Sequence, residues 1–152
     1  MADKPTHADA ELILKLYDLR REPELRKARS WWLSFWPESA QDIMKIIGTL
    51  GSQENNWFRQ VIGYWEMAAS FVLHGTLNQD LFLEGSFSGE MFVFFGKIQP
   101  FLNELREKMQ NPKFFGNVDR LISGAPGGLE RLKQTQERIA TLRKTAQLAK
   151  AS

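Results

Sequence analysis

The segment from Asn55 to Gly75, NNWFRQVIGYWEMAASFVLHG, admits few folds because it is helical in pattern and apolar around most of its girth. At about 100° per residue, Arg59, Gly63, Glu66, Ser70 and His74 fall within an arc of roughly 80°. Trp57, Val61, Tyr64, Trp65, Ala68, Phe71 and Val72 take the rest of the circumference. A helix with one narrow polar stripe must be covered by other helices on nearly every side. The aromatic residues agree: eleven of the eighteen lie between Trp57 and Phe101, and Trp31, Trp32 and Trp36 form a second cluster.

The covering helices are marked by caps and breakers. Leu12, Ile13, Leu16 and Leu19 give helical spacing from about Ala8 to Arg20, entered through Thr6 or Asp9. Pro23 suits the first turn of a second helix, which runs to Trp31-Trp32-Leu33 and ends before Pro37. Ser39 and Asp42 open a short third helix that Gly48 and Gly51 close. The long helix follows, with Asn55 or Asn56 expected as its cap. Asn78 starts a short turn, NQDLFLE, and Ser86 or Ser88 opens the segment carrying Met91, Phe92, Phe94 and Phe95, which Pro100 should kink or break. A piece around Phe114–Ile122, the SGAPGG turn and a last helix from about Leu129 to Ala149 complete the chain. The only strand-like run is MFVFF, and five residues with nothing to pair against make no sheet. The pattern predicts an all-α, compact bundle of about six to seven helices in a single domain, 1–152. Its last helix, 129–150, is expected to dock on the bundle or on a second subunit.

At 152 residues the chain can bury a sizeable core without staples. It has no cysteine, which excludes disulfides, thiolate metal sites and cysteine nucleophiles. Two histidines and no GxSxG leave almost no material for a nucleophile-and-base arrangement, so an enzyme is not expected. No apolar run approaches the ~20 residues of a membrane span and no secretory signal is visible, so the expected location is cytoplasmic. Charge is unevenly spread. Residues 30–100 hold three basic and seven acidic side chains, whereas residues 101–152 hold ten basic and five acidic.

Glu66 poses the sharpest question, since a carboxylate between Trp65 and Met67 must be wet, paired or poised. A partner arginine from LRREPELRKAR (Arg20, Arg21, Arg26 or Arg29) or Arg106 is the structural expectation. The functional alternative is a cleft left by Gly63 and Ser70 in which Glu66, Ser70, His74, Trp65 and Arg59 face a small ligand, with Phe92 and Phe95 across from them. A metal is not expected, because Glu66 and His74 lie two turns apart with no further ligand, and no cofactor is implied. The mixture of arginines and tryptophans before Ser34 has the composition of a single-strand binder, but its glutamates are spaced for intrahelical pairs, and nucleic acid is not expected. The aromatic surplus favours a non-enzymatic interaction module that self-associates, most simply as a homodimer.

The segments LYDLRREPELRKAR (16–29), YWEMAASFVLHGTLNQDLFLE (64–84) and IQPFLNELRE (98–107) resemble an uncharacterised bacterial family of helical proteins, a domain of unknown function. The resemblance implies an all-α fold and transfers no activity and no site.

Overall fold

A computed structural model describes residues 3–152, and its regular elements are nine α-helices and one 3₁₀ turn, Gln99–Phe101. In chain order the helices are α1 His7–Leu19, α2 Pro23–Ser34, α3 Ala40–Gly48, α4 Gln53–Leu73, α5 Gln79–Phe82, α6 Gly85–Ile98, α7 Leu102–Lys108, α8 Gly116–Gly124 and α9 Gly128–Ala151. The fold is an all-α bundle. There are more helices than expected because the proline break separates α7 from α6, and because the Asn78 turn closes as a helix of its own. Pro100, lacking an N–H, sits in the 3₁₀ turn at that break.

Local caps act where side-chain oxygens were predicted to supply them. Thr6 and Asp9 form a reciprocal capping box on α1, Ser39 accepts from the Asp42 N–H, and Asn78 accepts from the Leu81 N–H. The start of α4 differs from expectation. Ser52, in extended backbone, accepts from the Asn55 N–H and begins the helix a turn early, which leaves the Asn55 side chain to do something else. At α6 the expected serines lie inside the first turn, and Ser88 donates back to the Glu84 carbonyl.

Helix α4 is covered most extensively by α2 and α8, with α3 and α5 adding to the shell, while α9 lies along α6 and α8. Trp32 is the hub of the aromatic core: its ring stacks on Phe58 at 5.1 Å and meets Phe94 at 5.2 Å. Trp65 packs edge-on against Phe82 and Phe87. Two glycines set how closely α9 approaches. A side chain at Gly128 would meet the Ile122 carbonyl oxygen at 1.9 Å, and one at Gly96 would press within 3.3 Å of Gln136. The SGAPGG run is therefore the turn its glycines suggested, with Gly127 at a φ of 71°.

The arginines of the α1–α2 corner converge on Glu90 of α6. Arg29 forks onto both carboxylate oxygens, with Nε and Nη2 each at 2.8 Å, and Arg20 adds Nη2 at 3.3 Å. Arg20 also lies 5.7 Å from the centroids of the Trp65 and Phe87 rings and donates to the Phe87 carbonyl, and Arg29 donates to the Arg20 carbonyl. The Glu90 bonds, above all, raise the pKa of Arg29 against the opposing effect of burial. Among the described residues Glu90 is the carboxylate that pairs with both arginines, so losing its charge leaves each of them without an anionic partner. Glu90→Gln should destabilise the fold by about 3 kcal/mol, read from the midpoint of urea unfolding.

Candidate functional site

Glu66 meets a helix end instead of an arginine. Its Oε2 accepts from the Asn117 N–H at 3.1 Å and its Oε1 from the Val118 N–H at 2.9 Å, while the Asn117 amide donates to the Glu66 carbonyl at 3.3 Å. These are the second and third N–H groups of α8, which have no partner within the helix and need an outside acceptor. The residue before the helix, Phe115, has left-handed backbone (φ 56°) and offers no side-chain cap. A carboxylate from α4 fills that role and places a negative charge at the positive end of the helix. Of the arginines expected as its partners, Arg20 and Arg29 pair with Glu90 and Arg106 with Asp119 at 3.0 Å, while Arg21 and Arg26 are exposed and form no ion pair among the described residues.

The rest of the predicted stripe divides. Trp65 is buried in the core, as are Phe92 and Phe95. Ser70 donates to the Met67 carbonyl, and His74 is the exposed C-cap of α4. The start of the stripe borders a cavity: Arg59 and Gly63 line one of about 390 Å³ with Asn55, Phe58, Ile62 and Phe114. Asn55 is 1% exposed, and its Nδ2 donates to the Ile46 and Ile47 carbonyls at the end of α3, at 2.9 and 3.1 Å. Its Oδ1 is buried and accepts from no protein group. Its position in the sequence fits a local cap, whereas the fold spends its amide on another helix.

A second concave region lies between α9 and the α2–α3 connection, a groove of about 690 Å³ bordered by Trp36, Pro100, Ile139, Arg143 and Lys144. Lys97 forms its inner wall. The ammonium donates to the carbonyls of Trp32, Phe35 and Leu33 at 2.6, 2.9 and 3.2 Å and lies 4.0 Å from the Trp36 ring centroid. It closes the C-terminus of α2 just as Glu66 closes the N-terminus of α8. Arg143 pairs with Glu38 and also approaches Trp36. Burial, with a smaller effect from Arg143, pulls the Lys97 pKa down to about 8.

Residues 5–124 match a family model described as Domain of unknown function (DUF4760). The chain belongs to that family. No curated protein and no solved structure matches it. The DUF4760 region ends with the last residue of α8, so it contains the Glu66 cap, the Glu90 cluster and the Asn55 cavity, whereas α9 lies outside it. Among the described residues no helix is long and apolar enough to cross a membrane.

Two expectations follow. Glu66→Ala should cost about 1–2 kcal/mol and Glu66→Gln about half as much, because glutamine keeps an acceptor and loses the charge; urea unfolding measures both. For Lys97, the unfolded chain holds its proton up to 10.5 while the folded chain releases it near 8, so between these values the unfolded state binds more protons. Stability contributed at this position therefore rises as pH climbs from 8 towards 10.5. Relative to Lys97→Met, the wild type should gain unfolding free energy between pH 7.5 and pH 10, read from urea unfolding at the two pH values.

Proposed function

We propose that the protein is a non-enzymatic helical interaction module that self-associates as a homodimer in the cytoplasm, through the free half of α9. The observation that carries this reading is the exposure of that helix. From Ala140 onward every residue except Arg143 is exposed, and Leu142 and Leu148 are 59% and 71% open. On the helical wheel Arg143, Lys144, Gln147 and Lys150 share one side, while Leu142, Thr145 and Ala149 lie opposite. This half carries three basic residues and no acidic one, a charge that suits acidic side chains left exposed on a second copy, among them Glu54, Asp80 and Glu84. Leu14 and Tyr17 on α1 add further exposed apolar surface.

Nucleic acid fits less well as a partner. Arg20 and Arg29 are spent on Glu90, Trp32 is in the core, and Trp31 stacks on Phe35 at 4.7 Å. Light scattering on a sizing column is the test. The expected mass is twice 17.5 kDa. Leu142→Glu combined with Leu148→Glu should return it to the monomer with unchanged helicity, and about 0.5 M salt should weaken the pair. A monomeric wild type, or a dimer indifferent to both leucines, overturns the proposal.

A further inference from the structure

The buried face of α9 continues beyond the residues that are covered. At about 100° per residue, Leu132, Ile139 and Ala146 share one line along the helix, and Thr135, Leu142 and Ala149 share a second beside it. Burial falls along both lines. Leu132 and Thr135 are 3% and 7% exposed, Ile139 is half-buried, Leu142 is 59% exposed, and Ala146 and Ala149 are open. The face that α6 and α8 cover in the first half of the helix is therefore left open in the second, where it is wholly apolar.

The open stretch is bordered by cations. Arg138 lies one turn before Leu142 and Lys150 one turn after Ala146, both exposed and neither in an ion pair among the described residues, and no acidic residue occurs from 138 to 151. A face of the opposite make stands on α1. Ala10, Leu14 and Tyr17 fall within about 60° of one another on the helical wheel, and all three are exposed. Glu11 and Asp18 run along one edge of this face, also exposed and in no ion pair among the described residues. Its basic neighbours are Lys15, set behind Glu11, and Arg21, past the end of the helix.

We propose that the α1 face of one copy, Ala10, Leu14 and Tyr17, seats on the open α9 stripe of a second copy, Leu142, Ala146 and Ala149, and that the second copy returns the same contact. This pairing rests on the α9-mediated dimer proposed above and names the surface that meets it. Size and charge both select α1 over another α9. Leu14 and Tyr17 are large where Ala146 and Ala149 are small, so the two faces interdigitate. Glu11 and Asp18 bring anions to Arg138 and Lys150, whereas two α9 stripes would set alanine on alanine and cation against cation. A contact of α1 on α9 made twice about a two-fold axis closes as a dimer.

The test is light scattering on a sizing column over a concentration series. One variant reverses the acids of α1, Glu11→Lys with Asp18→Lys, and another the bases of α9, Arg138→Glu with Lys150→Glu. Each alone should raise the dimer Kd at least about tenfold with unchanged helicity, because like charges then border the contact. An equimolar mixture of the two should recover a mass of twice 17.5 kDa, since each α1 again meets an α9 border of opposite charge. Leu14→Glu in the otherwise native chain should also split the dimer. A monomeric wild type overturns the dimer and this pairing with it. A wild-type dimer that persists in the α1 variant or in Leu14→Glu, or two dissociated variants whose mixture stays monomeric, leaves the dimer standing and overturns the pairing of α1 with α9. Should a reversed variant lose helicity, Leu14→Glu decides.

Discussion

Helix α4 is desolvated over most of its circumference, and the rest of the structure answers that constraint. Three short or medium helices must end against it or close to it, and a helix end placed in a crowded interior loses the water that would otherwise satisfy its backbone. The fold meets this with side chains borrowed from other helices. Glu66 of α4 takes the N–H groups of α8, Asn55 of α4 donates to the carbonyls of α3, and Lys97 of α6 donates to those of α2. In each case the sign of the group matches the end it serves: an anion or acceptor at an N-terminus, a cation or donor at a C-terminus.

The polar side chains inside this bundle therefore divide into connectors and exceptions. Glu90, with its two arginines, is a connector of the same kind, joining the α1–α2 corner to α6. The Tyr64 hydroxyl donates to the Leu16 carbonyl across the α1–α4 contact, and burial raises its pKa. The Asn55 amide is divided: its nitrogen holds the end of α3, while its buried oxygen, like the indole nitrogens of Trp32 and Trp65, meets no protein partner.

What the sequence made legible follows from range. Caps that act three residues away, Thr6, Ser39 and Asn78, were readable because donor and acceptor are neighbours in the chain. The apolar girth of α4 and the proline break were readable because they are properties of one segment. The partner of Glu66 was not, because it lies 51 residues on and consists of backbone N–H groups, which carry no residue signature. A carboxylate among aromatics calls for an arginine, yet Arg20 and Arg29 have a better partner in Glu90, which lies in a glycine- and serine-rich stretch with no pattern to mark it. Likewise, Arg59 and Gly63 were grouped with Ser70 and His74 by helical angle, but angle says nothing of height along the axis, and only the first pair lies at the cavity.

The exchange of caps between helices has a consequence for how the molecule moves. Helices α3 and α8 have nine residues each, too few to persist alone in water. With the C-terminus of α3 and the N-terminus of α8 held by α4, neither can fray at that end without breaking a bond that belongs to another element, and α4 cannot loosen without releasing both. Amide protons at those ends are thus tied to opening of the central helix, so the bundle interior behaves as one cooperative unit while the free half of α9 exchanges on its own.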